Sequence, residues 1–520
     1  MITHDVQSPL EKARKCKNIG NEYFKERKYH EAIVEYSKAI DICPRRKATL
    51  QDLAIFYQNR AAANEQLKKY SDVKADCTKA LELNPKYMKA LLRRARASEQ
   101  LEDLEAALDD LTTARIYEHS SIQATNAITM ADEILEKLVK QYVQEYLANK
   151  KFIMQSKEAI TLYILSFLKD PVFSRLQHPE NIPEFFKKPL QALKDKKYDD
   201  IIPLCTEVIQ KPEFDTLPSS SKLEVLLLRA TFYMFLGKQD SAIQEFEKIL
   251  SSKDASNDMK TNVLIKRGDS YMVLEKVEMA FKDYESAIDI NPTYSDIYYH
   301  RGVAYWLMCS YAESKHDFDT AVLYNPNFCM ANIRRYCLEY HLIKKVCDVV
   351  ATECVTVELA DKVAKNLKNC LESCRNITER SFCYTSYAEM LSESRQYKKA
   401  DTSLIKAIKE DPESALNHMQ RAVLHLKWKD DVDKAEEYLN KALDLDERCD
   451  KAHEMLGYIA VKRGNLEEAI KLFDKALSLC RTSMELSSIY NMKERAKLQL
   501  KVKNRGIDVI PRGHISFRVF

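Results

Sequence analysis

A rhythm of small and aromatic residues recurs along this chain, in its clearest pair 34 positions apart, and few folds can satisfy it. In "CKNIGNEYFKERKYHEAIVEYSKAIDICP", residues 16–44, Gly20, Tyr23, Ala32, Tyr36, Ala39 and Pro44 stand 3, 9, 4, 3 and 5 residues apart. The order returns as Gly268, Tyr271, Ala280, Tyr284, Ala287 and Pro292, then 34 residues on as Gly302, Tyr305, Ser314, Phe318, Ala321 and Pro326. The physical reason is steric. A small residue at each of two crossings lets two helices approach, aromatics fill the space between neighbouring hairpins, and the proline stops the second helix.

A period of 34 with small residues at helix crossings is the tetratricopeptide (TPR) signature. The expected fold class is all-α, a superhelical solenoid of about 10–11 helix-turn-helix repeats in two arrays. Clear repeats begin near residues 13, 54, 88, 223, 261, 295, 381, 415 and 450, with weaker ones near 182 and 329. The expected division is a three-repeat domain over 1–119, an irregular helical connector over 120–181, a second array over 182–482, and a capping helix and tail over 483–520. Residues 340–378 read as a stretched repeat. With only 8 Gly and 14 Pro in 520 residues, the chain fits helices joined by short connections.

Catalytic and metal chemistry find little footing. The 14 cysteines are scattered, as in a mostly reduced protein. Cys370 and Cys374 share a helical face, yet no second pair or nearby histidine completes the four ligands of structural zinc. "HEMLG" at 453 lacks the second histidine of a zinc-protease helix, and no Walker sequence or nucleophile elbow occurs. Neither an enzyme nor a cofactor is expected. No apolar run reaches the roughly 18 residues of a membrane span, and the first 17 residues lack a signal-peptide core. The basic excess is too modest and local for a nucleic-acid partner.

A solenoid is a scaffold for a groove, lined by the first helix of each pair. Positions 2, 5 and 9 of that helix share one face. In the first three repeats they are Arg14, Lys17, Asn21, Ile55, Gln58, Ala62, Lys89, Leu92 and Arg96, four of them basic and none acidic. Later repeats place Glu224, Asp269, Asp296, Glu389 and Glu454 there, among apolar residues that include Leu227, Ile265, Tyr299 and Val303. Residues 1–100 carry a net charge of +8 and the remainder −5. The split implies two grooves, one for an acidic ligand and one for an apolar, basic helix.

"CKNIGNEYF", "YQNRAAA" and "KALLRRARA" resemble the three segments of a carboxylate-clamp TPR domain. Such domains grip the C-terminal Glu-Glu-Val-Asp tail of cytosolic heat-shock chaperones. The family pattern falls on Lys17, Asn21, Asn59, Lys89 and Arg93, all present. By this resemblance the three cations supply charge to two terminal carboxylates, and the two amides supply directional hydrogen bonds.

More widely, residues 12–505 resemble the TPR receptors of the mitochondrial outer membrane, the seventy-kilodalton subunit family of the TOM complex. The match rests on "LIKRGDSYM", "HRGVAYWLM", the stretch 415–480 and "SSIYNMKERAK". The resemblance implies a mitochondrial import receptor facing the cytosol. Its clamp would recruit ninety- and seventy-kilodalton chaperones carrying preproteins with internal targeting signals. Its second array would take the preprotein, contacting it through Glu224, Leu227, Ile265, Asp269, Asp296, Tyr299 and Val303, for delivery to other TOM subunits. The family carries an N-terminal membrane anchor, whereas about a dozen residues precede the first repeat here. The alternative is a soluble co-chaperone adaptor that uses the clamp and never docks at mitochondria.

Overall fold

The computed structural model describes residues 8–117, 122–149, 153–177, 182–350 and 362–504 apart from 364 and 368. Among them all regular structure is helical. The first three hairpins pair α1 (Pro9–Lys25) with α2 (Tyr29–Ile42), α3 (Leu50–Gln66) with α4 (Tyr70–Leu83), and α5 (Met88–Gln100) with α6 (Leu104–Tyr117). Helix α7 (Ile122–Ala148) follows, then the short α8 (Lys157–Leu165). Four more pairs join α9 (Glu184–Lys194) to α10 (Ile201–Gln210), α11 (Ser219–Leu236) to α12 (Gln239–Ser251), α13 (Asn257–Val273) to α14 (Val277–Ile290), and α15 (Ser295–Leu307) to α16 (Tyr311–Tyr324). After α17 (Cys329–Val350), three pairs join α18 (Ile377–Glu393) to α19 (Tyr397–Glu410), α20 (Ala415–Lys429) to α21 (Val432–Leu445), and α22 (Asp450–Lys462) to α23 (Leu466–Leu479); α24 (Ser483–Asn504) ends the described chain. The architecture is the expected TPR solenoid.

The repeat signature acts at the crossings. Ala32, Ala280, Ser314 and Ala469 are fully buried where the paired helices meet. Each helical glycine faces the aromatic 16 residues on in its own hairpin, so these rings pack within hairpins as well as beside the next one. A Cβ built on Gly457 would lie 2.6 Å from Cε1 of Phe473, and one on Gly20 would lie 2.7 Å from Cε1 of Tyr36. Phe473 is fully buried and has no room to retreat. Gly457→Ala is therefore expected to destabilise its array by about 1–3 kcal/mol. An unchanged urea midpoint would show that the crossing is looser than this spacing.

The scarcity of glycine has a local counterpart. Every one of the ten described hairpins turns through a residue at positive φ, and in eight of them it is not glycine: Arg27, Lys68, Glu102, Lys196, Glu275, Cys309, Arg395 and Asp430. A left-handed residue other than glycine costs about 1–2 kcal/mol, so helix packing rather than turn preference sets these bends.

Two compact units emerge, residues 1–150 with 486–520 and residues 151–485. The stretch 120–181, expected as a separate connector, is divided between them. Its first half is the continuous helix α7 of the first unit. Its second half enters the second unit as α8 and the loop after it. The expected capping helix is present as α24, but from Leu486 onward it belongs to the first unit rather than to the last repeat. There Tyr490 stacks on Tyr142 of α7 with ring centroids 3.9 Å apart, and Arg495 bonds Asp132 at 3.2 Å. Part of the stretched repeat, residues 351–361, and the terminal "HISFRVF" lie outside the described residues.

Candidate functional site

In the first unit α1 and α3 bring Asn21 and Asn59, the two amides of the expected clamp, into contact. The Asn21 side-chain carbonyl accepts the Asn59 amide at 3.1 Å and the Tyr36 hydroxyl at 2.9 Å. With its oxygen held by two donors, Asn21 keeps both amide hydrogens for a ligand, and Asn59 keeps one. Arg93, one turn beyond Lys89 on α5, is already engaged. Its Nε donates to Glu65 at 2.7 Å, with the two side chains only 17% and 18% exposed. Glu65 also receives Arg96 at 3.4 Å. Arg14, expected among the groove cations, is occupied by Asp52 through two 2.9 Å bonds. Among the described residues Lys17 and Lys89 form no salt bridge, which leaves them as the uncommitted cations of the set. Glu65 and Asp52 escaped the sequence reading because they lie outside positions 2, 5 and 9.

The second unit holds a surprise in the expected preprotein groove: the chain's own residues 153–177 run along it. Arg175 forks onto Glu224 at 2.6 and 2.7 Å. The Tyr163 hydroxyl donates to Asp269 at 2.7 Å, and the backbone N–H groups of Leu168 and Lys169 donate to Asp296 at 2.9 and 3.2 Å. Ser166 meets His300 at 3.1 Å, Arg375 donates to the Leu165 carbonyl at 3.0 Å, and Ser414 donates to Glu158 at 3.1 Å. Asp170 pairs with Lys266 at 2.6 Å, their side chains 2% and 1% exposed. Leu227, Ile265 and Tyr299 are buried, and Val303 is half-buried against the core that holds Ile265 and Tyr299. The expectation that these residues form an open lining is thereby revised. A segment of this chain occupies the face that those helix positions form.

Electrostatics follow from that burial. Burial alone would raise the Asp269 carboxyl; the His300 ring and the hydroxyls of Tyr163 and Tyr284 outweigh it and hold the group below its usual range. For Asp296 burial wins over the Leu168 and Lys169 amides and the charges of His300 and Arg375, and pushes it up to about 6. Burial lowers Lys266 despite its carboxylate partner. Among the described residues no cluster of histidine, cysteine or carboxylate is arranged to hold a metal ion.

Residues 268–308 match the family described as TPR repeat, and residues 16–46, 223–255 and 429–483 match families described as tetratricopeptide repeat. The mitochondrial import receptor subunit TOM70 of Rattus norvegicus is 34% identical over 513 residues, spanning 96% of this chain and 81% of that protein. The chain belongs to the TOM70 family. TOM70 of Homo sapiens is also 34% identical, over 517 residues, spanning 96% of this chain and 82% of its own length. The crystal structure of yeast Tom70 shares the fold, with a TM-score of 0.50 and 21% identity over 94% of this chain and 96% of that one.

This TOM70-family chain also carries a repeated ion pair that the sequence reading missed. Arg60–Asp76, Arg94–Asp110, Arg229–Glu245, Arg267–Asp283 and Arg301–Asp317 each join the two helices of one hairpin. The signal was there: an arginine just before the small crossing residue and an acid 16 residues later.

Glu158 supplies a pH dependence. Burial, together with Asp411 and Asp446, pushes its carboxyl up to about 7 against the opposing pull of Ser414 and Lys196. Its folded-state value thus exceeds the unfolded one, so its contribution to stability is full below about 4.5 and is lost as pH rises through about 7. Glu158→Gln keeps an acceptor for Ser414 without the titration. The difference between parent and variant urea midpoints should therefore change between pH 5 and pH 8, the parent losing ground at pH 8. A difference constant across that range would remove Glu158 as the cause.

Proposed function

We propose that this TOM70-family receptor binds the acidic C-terminal tail of cytosolic heat-shock chaperones in its first three repeats. The single observation that supports this most is the Asn21–Asn59 contact. It fixes one amide oxygen inward and leaves amide hydrogens free which, with the unpaired Lys17 and Lys89, make a donor set suited to a chain end bearing two carboxylates. Arg93, oriented through Nε by Glu65 and through Nη1 toward the Gln58 carbonyl at 3.5 Å, offers its remaining N–H groups to the same ligand.

The receptor works at the mitochondrial outer membrane as part of the TOM machinery and accepts preproteins with internal targeting signals; family membership supports this part. No described helix is long and apolar enough to cross a membrane. Because Glu224, Asp269 and Asp296 are committed to residues 163–175, a preprotein reaches them only by displacing that segment.

The test uses calorimetric titration with a peptide ending Glu-Glu-Val-Asp and its C-terminally amidated counterpart. Amidation removes one of the two carboxylates and should weaken binding at least about tenfold, the lower end of a charge-assisted bond of about 1.5–3 kcal/mol. Equal affinity for both peptides would remove the clamp as the binding site.

A further inference from the structure

In the second unit Cys329 meets two cysteines 45 or more residues further along the chain, Cys374 and Cys383. Cys329 opens α17, Cys374 sits two residues before the Asn376 cap of α18, and Cys383 lies inside α18. The Cys329 and Cys374 sulfurs are 2.9 Å apart, about 0.9 Å beyond the ~2.05 Å of a formed disulfide. Cys329 and Cys383 are buried, while Cys374 is half-buried and reaches solvent. The sequence paired Cys374 with Cys370 on one helical face; in the structure Cys374 instead directs its thiol to the Cys370 carbonyl at 3.2 Å and its sulfur toward Cys329. All are free thiols, and no metal group forms among the described residues.

We propose that Cys374 is a thiol-modification site for low-molecular-weight disulfides, with Cys329 as its resolving partner. The Cys374 thiolate attacks one sulfur of such a disulfide, forming a mixed disulfide and releasing one thiolate. Cys329 passes its proton to that thiolate and attacks the Cys374 sulfur, expelling the second small thiolate, which takes back from water the proton that Cys374 had released. Two protein thiols are oxidised to one cross-link, and the small disulfide is reduced to two thiols.

The surroundings favour each half. The thiols of Cys329 and Cys383, then Arg380 and Arg375, pull the Cys374 thiol down to about 4 against the effect of burial. The Cys329 thiol is pushed up by the same contact with Cys374 and then by burial, so it waits protonated until Cys374 is capped. An acidic thiol is also a good leaving group, which makes the cross-link readily reversible by a reducing thiol.

The experiment incubates the reduced full chain with glutathione disulfide, alkylates the remaining thiols, and maps peptides without reduction. The expected product is a Cys329–Cys374 linkage, with Cys374 reacting at least about tenfold faster than the exposed Cys309. Cys329→Ser should stop the reaction at a glutathionyl adduct on Cys374, and Cys374→Ser should yield neither product. Parent-chain mapping requires no variant to fold. A linkage of Cys374 to Cys370 or Cys383, or a Cys374 rate no faster than that of Cys309, would overturn the proposal.

Discussion

Asp170→Ala will destabilise the second unit by about 3–5 kcal/mol, the usual result of leaving one half of a buried ion pair without its partner. Lys266 rests 2.6 Å from that carboxylate and 3.2 Å from the Thr231 hydroxyl. The rings of Phe167 and Phe173 lie 5.2 and 4.7 Å from its ammonium. Once Asp170 is gone, one hydroxyl and two ring faces must offset the whole desolvation of the charge, or the amine must give up its proton. The other Asp170 oxygen accepts the Val172 and Phe173 backbone N–H groups at 2.8 Å each, so the turn loses its organising acceptor as well. Both tryptophans, Trp306 and Trp428, lie in this unit, and their fluorescence during urea unfolding gives the measurement. The double variant Asp170→Asn with Lys266→Met removes both charges and should lose much less. A loss below about 1 kcal/mol for Asp170→Ala would mean that water or another group already compensates Lys266.

Arg93→Ala should weaken binding of the acidic tail peptide on the order of a hundredfold, the upper part of the range for a charge-assisted hydrogen bond. Seen as a surface residue, Arg93 would be free to lose. Its bond to Glu65 changes that, and about 1–2 kcal/mol of stability should go with it while helicity is retained. Arg93→Lys separates charge from geometry. A lysine cannot hold Glu65 through one nitrogen while presenting others to a carboxylate, so this variant should remain at least about tenfold weaker than the parent. Tail binding unaltered in both variants would remove Arg93 from the site.

How much of this could be read beforehand depends on the range of the interaction. The crossings were legible because Gly20 against Tyr36, or Gly457 against Phe473, is a contact within one repeat, and a fixed spacing encodes it. The Arg267–Asp283 pair belongs to the same class and could have been found by the same means. Glu65 and Asp52 required knowing which neighbouring faces meet across repeats, which three positions per helix do not reveal. The occupied groove lay beyond any periodic reading. Tyr163, Asp170 and Arg175 meet partners 49 to 106 residues away in a segment with no repeat of its own. The same holds for Cys329 and Cys374, brought together by packing across 45 residues.

The placement of α24 bears on how the molecule is born. Residues 151–485 leave the ribosome before Leu486–Asn504, yet those later residues complete the unit begun by α1. Throughout translation of the intervening stretch, α7 must wait with the face of Tyr142 uncovered, because Tyr490 has not yet been made. A nascent chain in that state exposes apolar helix surface of the kind that holding factors recognise, so the second unit can mature first and the opening unit is closed last.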